Sequence, residues 1–93
     1  MISKLEKAIQ FLEDSDMEPM LLLGSPDEVN DFADAFVGVS MDNSIAIYNE
    51  NKVIEVFIKR DSMTHFEAVE YYEYNVLGAY MGEKTPIYIQ EDF

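Results

Sequence analysis

The chain has 93 residues, 48% of them hydrophobic and 13% aromatic, which is apolar material for one folded domain and too little length for two separate cores. Six Lys and Arg against 19 Asp and Glu give a formal net charge of −13, which disfavours direct contact with nucleic-acid phosphates or an anionic membrane. Cysteine is absent, so disulfides, thiolate nucleophiles and cysteine-bound zinc or iron–sulfur centres are excluded.

Ser3 followed by Glu6 has capping-box spacing, and Ile2, Leu5, Ala8, Ile9 and Leu12 fall on one stripe at helical period, predicting a helix over Lys4–Asp14. The opening "MISKLEKAIQ" lacks the apolar core of a signal peptide, and no apolar run approaches the roughly 20 residues of a membrane span, so a cytoplasmic protein is expected. "MLLLG", a short apolar run closed by Gly24, predicts a buried strand. "SPDE" then sets Ser25 as N-cap, Pro26 at the first helical position, where a missing donor is harmless, and Glu28 three residues on. In the helix this predicts, Val29, Phe32, Ala33 and Phe36 share one face and Asp27, Glu28, Asp31 and Asp34 the other. At about 100° per residue those four carboxylates cover roughly a third of the circumference.

"FVGVS" and "SIAIYN" flank a turn-like "MDN" and predict a hairpin, weakened by Gly38. In "NKVIEVFIKRDS" two periods compete: Val53, Val56, Phe57 and Arg60 suit a helix capped by Asn51, while Ile54, Val56 and Ile58 alternate as a strand. The helix is the preferred reading. Thr64 with Glu67 forms a third capping box and opens a helix to about Ala79; Gly78, Gly82 and Pro86 stop it, and "PIYIQ" alternates as a last strand. The expected architecture is α+β, a small sheet of three or four strands with three to four helices packed on one face.

Few residues suggest chemistry. The lone His65 sits at the start of the last helix, where the dipole disfavours an imidazolium, and no nearby serine has a nucleophile-elbow context. "EDSDME" spaces acids at alternate positions but lacks the glycine and closing glutamate of an EF-hand loop, and no metal or other cofactor is implied. On the wheel of the last helix Phe66, Val69, Tyr72, Val76, Leu77 and Tyr80 form an apolar arc, with Glu73 inside it and Lys84 as its candidate partner. Glu67, Glu70, Tyr71 and Tyr74 lie on the other side, where exposed tyrosines among carboxylates suit a docking patch.

Residues 8–51 carry ten carboxylates and no Lys or Arg. That asymmetry reads either as a solubilising surface or as the footprint of a basic protein partner. The expected partner-binding residues are therefore Asp27, Glu28, Asp31 and Asp34 on one helix and Glu67, Glu70, Tyr71 and Tyr74 on the other.

"AFVGV", "IAIYNENKVIEVFI" and "MTHFEAVEYYEYNVLGAYMGEKTPIYI" resemble a group of small acidic phage and prophage proteins, over about residues 35–90, with "YNVLGAYMGEKTPIYI" the most distinctive part. The amino-terminal "MISKLEKAIQFLEDS" has no counterpart in that resemblance. The likeness brings no catalytic residues and no activity. It implies a setting, the host cytoplasm, in which a small protein binds and alters a host or phage machine. The resulting expectation is a non-enzymatic acidic binding domain, an inhibitor or nucleic-acid mimic acting on a basic nucleic-acid-handling protein. The alternative is a small accessory protein that forms a homodimer.

Overall fold

A computed structural model describes residues 3–93; Ile2, the first position of the amino-terminal stripe, lies outside them. Helix α1 spans Lys4–Asp14 with its capping box complete: the Ser3 hydroxyl accepts from the Glu6 N–H at 3.1 Å, and the Glu6 carboxylate accepts from the Ser3 N–H. Leu5 and Leu12 turn inward, each three and four residues from the half-buried pair Ala8 and Ile9, so the described part of the predicted stripe is the buried one.

Residues 20–24 form no strand. They run without ladder partners, and the Leu23 N–H donates instead to the Tyr48 hydroxyl at 3.1 Å inside the core. A side chain thus satisfies the donor that a neighbouring strand would otherwise have taken. The segment ends at Gly24, whose φ of +96° suits glycine and where any Cβ would stand 3.0 Å from the Glu28 Cβ.

The helix expected after "SPDE" is a 3₁₀ helix, Val29–Ala35. Ser25 is not its side-chain cap: the Glu28 N–H bonds to the Ser25 backbone carbonyl at 2.8 Å, while the Glu28 carboxylate reaches back to the Ser25 hydroxyl at 3.0 Å. Only half the capping box forms. The tighter winding matches the threefold spacing of Val29, Phe32 and Ala35, and it releases Phe36 from the helix to begin a strand.

Strands β1 (Phe36–Ser40) and β2 (Ile45–Asn49) form the expected antiparallel hairpin, with an irregularity between Phe36 and Gly38. Strand β3 (Ile87–Ile89) pairs in parallel with β2, giving a mixed three-stranded sheet in the order β1-β2-β3. Ala46, Tyr48 and Tyr88 project from one face, and Tyr48 is fully buried between the edge-on ring of Phe36 and the stacked ring of Tyr88.

The helical period prevails in residues 52–60, within helix α2 (Glu50–Asp61), which buries Val53, Ile54 and Phe57. Its cap is Asn49 and not Asn51. The Asn49 Oδ1 accepts from the Lys52 N–H at 2.9 Å and its Nδ2 donates to Glu91, so one side chain ends β2, starts α2 and ties down the carboxyl-terminal tail. Asn51 is exposed and bonds Gln90 and Asp92.

Helix α3 (His65–Tyr72) opens with the predicted Thr64/Glu67 box and continues into a π-helical turn, Glu73–Leu77. The widened turn, closed by a Gly78 N–H to Glu73 carbonyl bond of 3.1 Å, keeps residues four apart in register, so the buried line is Ala68, Tyr72 and Val76. This corrects the predicted arc: Phe66 (71% exposed), Leu77 and Tyr80 (81%) face outward. Small Ala68, which the wheel leaves outside the arc, is fully buried in place of Phe66. Among the described residues the fold is α+β, a three-stranded sheet with four helices.

Candidate protein-docking site

Arg60, in the last turn of α2, gathers part of the first group of candidate residues. Its Nη1 donates to Glu28 at 3.0 Å and to Asp31 at 3.1 Å, and its Nη2 and Nε donate to both oxygens of Asp61. The guanidinium carbon lies 5.5 Å from the Phe32 ring centre and 5.7 Å from that of Phe57. Phe57 in turn packs edge-on against Phe32 and, at 4.9 Å, against Tyr71 of α3. An aromatic ladder with a cation at its edge therefore joins the 3₁₀ helix, α2 and α3.

The acidic 3₁₀ face is thus partly an internal contact. Asp31 and Asp34, three residues apart on a threefold helix, lie in line and share a groove with Lys52, Glu55, Lys59 and Arg60 of α2. Two of the four carboxylates expected to face a partner, Glu28 and Asp31, are paired with Arg60. Asp27 and Asp34 have no ion pair among the described residues. The Ser25 hydroxyl and N–H, then the Arg60 charge, hold the Glu28 carboxyl below its ordinary range; hydrogen bonding, led by Asp61, holds Arg60 firmly cationic.

The second group lies together on α3 and the π turn. Glu67, Glu70, Tyr71 and Tyr74 line one shallow hollow with Met63 and Asn75. Tyr74 is 85% exposed, whereas Tyr71 has one ring edge against Phe57 and the other side toward solvent. Neither Glu67 nor Glu70 has a cation within ion-pair distance among the described residues. The Thr64 N–H and hydroxyl hold the Glu67 carboxyl below its usual range, so it is charged wherever the protein is folded near neutral pH.

Tyr71 and Asn75 also line a deeper cleft on their other side, with a volume of about 290 Å³, walled by residues 22–24, Phe32, Phe57, Val76, Ala79 and Tyr88. From the sequence no site is expected at this cleft. The one signal it offers is the apolar "MLLLG" run, which forms the cleft's wall instead of a strand.

Glu73 is solvent-exposed and lies off the buried line of α3, outside the apolar arc in which the wheel set it. Lys84 does not pair with it but with Glu18 at 3.0 Å. His65 is exposed at the first position of α3, and Thr64 supplies the cap. Buried Tyr72 donates to Glu50 at 2.8 Å. Among the described residues no group of three or more His, Asp or Glu is arranged to hold a metal ion, and no helix is long and apolar enough to cross a membrane. No protein-family model, curated protein or solved structure matches the chain.

Proposed function

We propose that the protein is a non-enzymatic, acidic binding domain that engages a basic protein, in the setting of a phage-encoded inhibitor of a nucleic-acid-handling partner. The observation that carries this reading is the α3 hollow, where two tyrosine rings stand among carboxylates that have no cation of their own among the described residues. A Lys or Arg entering it meets a π face, worth about 0.5–1 kcal/mol at an exposed site, beside fixed negative charge. The net charge of −13 draws such a partner in over a longer range.

Mimicry of nucleic acid is the narrower form of this reading and requires a regular ladder of charge. Because Glu28 and Asp31 converge on Arg60, the ladder on the 3₁₀ helix is interrupted, and the weight of the proposal falls on Glu67, Glu70, Tyr71 and Tyr74. The alternative of an accessory homodimer draws support from Phe66 and Tyr80, large apolar side chains that face solvent. Sedimentation at several concentrations separates the two.

The test is retention of bacterial host proteins at low and moderate salt by the wild type, by E67Q/E70Q/Y74A and by D27N/D34N. A basic nucleic-acid-handling protein held by the wild type, released by salt and lost with the α3 variant is the expected result. Retention indifferent to salt and to both variants overturns the reading.

A further inference from the structure

The cleft beside Tyr71 and the acidic hollow are two sides of one wall, since Tyr71 and Asn75 line both. The cleft's lining is otherwise largely apolar, contributed by Leu23, Phe32, Phe57, Val76, Ala79 and Tyr88. Its volume of about 290 Å³ falls at the bottom of the roughly 300–1,000 Å³ typical of small-molecule sites, which suits one inserted side chain better than a cofactor.

Charge narrows the occupant further. Among the described residues the one cation in the lining, Arg60, already donates to the carboxylates of Glu28, Asp31 and Asp61, so its charge is outweighed locally and an anionic ligand gains little from it. Of the acids around the cleft Glu28, in the lining, is held by Arg60, while Glu67 and Glu70 across the Tyr71/Asn75 wall have no cation within ion-pair distance among the described residues. A second copy of the chain would bring its own net charge of −13 against this rim. A cationic segment meets the opposite condition.

Resting on the basic-partner reading above, the geometry points to this cleft as the seat of one apolar anchor, a Phe- or Leu-sized side chain carried by the partner between lysines or arginines. The anchor buries its surface against Phe57, Val76 and Leu23 while the flanking cations lie on Glu67 and Glu70 across the Tyr71/Asn75 wall. Interfaces of this kind draw most of their affinity from such a central, desolvated residue, the charged rim setting rate and orientation.

The experiment uses the full chain and three fluorescein-labelled peptides: oligolysine with a central Phe, the same with a central Ala, and an oligoglutamate with a central Phe. Anisotropy at low salt should show the Phe–lysine peptide binding about tenfold or more tighter than its Ala twin. A79L, which fills the cleft, should erase that difference and leave the Ala peptide unaffected. Amide shifts of the wild type at Asn75, Val76 and Ala79 with the Phe peptide alone give an independent readout should A79L fold poorly. Equal binding of the Phe and Ala lysine peptides, with no shifts at the cleft, overturns the anchor and leaves the acidic-surface reading standing. Binding of the glutamate peptide as tight as the lysine one overturns the charge argument, and no binding by either lysine peptide overturns both.

Discussion

Replacing Tyr48 with Phe isolates one hydrogen bond on which the cleft wall depends. The Tyr48 ring is fully buried, packed edge-on to Phe36 at 5.8 Å and stacked on Tyr88 at 6.1 Å, and the substitution leaves both contacts in place. What goes is the oxygen that accepts the Leu23 N–H at 3.1 Å, in a residue only 7% exposed. No strand lies alongside to take over, so the donor is left without a partner, at a cost of about 1–3 kcal/mol. For a domain of this size that lowers the melting temperature by about 4–8 °C per kcal/mol. Urea and thermal unfolding measure the loss, and amide exchange at Leu23 localises it, because the wall segment should open before the sheet does. A Y48F protein with unchanged stability and undiminished Leu23 protection would refute the account. It would mean that residues 20–24 are held by side-chain packing alone.

N49A removes the α2 cap and the tie to Glu91 together and should cost about 1–2 kcal/mol, read from the urea midpoint, whereas N51A, whose bonds are exposed, should cost little. G24A meets both an unfavourable φ of +96° and a 3.0 Å approach to the Glu28 Cβ, and should destabilise by about 1–3 kcal/mol while weakening any binding that uses the cleft; a neutral G24A would refute the strain argument. Burial raises the phenol pKa of Tyr48, Tyr72 and Tyr88, for Tyr72 with the Glu50 hydrogen bond adding to it. A phenol harder to ionise in the fold than in the unfolded chain stabilises fully below the ordinary value near 10, and that contribution is lost as pH rises from there toward the folded value. Stability should therefore fall above about pH 10, tyrosinate absorbance should rise with unfolding, and Y72F should flatten the fall.

Local signals carry far into this fold where they specify both ends of an interaction. Ser3 with Glu6 and Thr64 with Glu67 form complete capping boxes because each pair is followed by a segment free to wind as an α-helix. Ser25 with Glu28 has the same letters, but Gly24 behind it and the strand at Phe36 ahead leave about ten residues, and a 3₁₀ helix buries Phe32 and Ala35 within them. The choice of Asn49 over Asn51 as cap depends on where β2 ends, which pairing with β1 and β3 decides and no window of sequence records. The α3 arc is misplaced for a related reason: its wheel assumes an unbroken 100° period to about Ala79, whereas the π turn interrupts it from Glu73 and the helix ends at Leu77, so Tyr80 lies beyond it in solvent.

Counting charge along the chain does not separate acids that hold the molecule together from acids that face outward. Asp31 and Glu70 look alike in sequence, each one turn from a neighbouring carboxylate on a helix. In the fold Asp31 lies 3.1 Å from Arg60, while Glu70 has no cation in reach among the described residues. Removing the first should loosen the joint between the 3₁₀ helix and α2; removing the second relieves like-charge repulsion and should leave the fold no weaker. A residue whose loss the fold tolerates, set beside a tyrosine that is 85% exposed, contributes little to internal stability. That asymmetry, more than the total of −13, is why the docking proposal rests on α3 and treats the 3₁₀ face as its support.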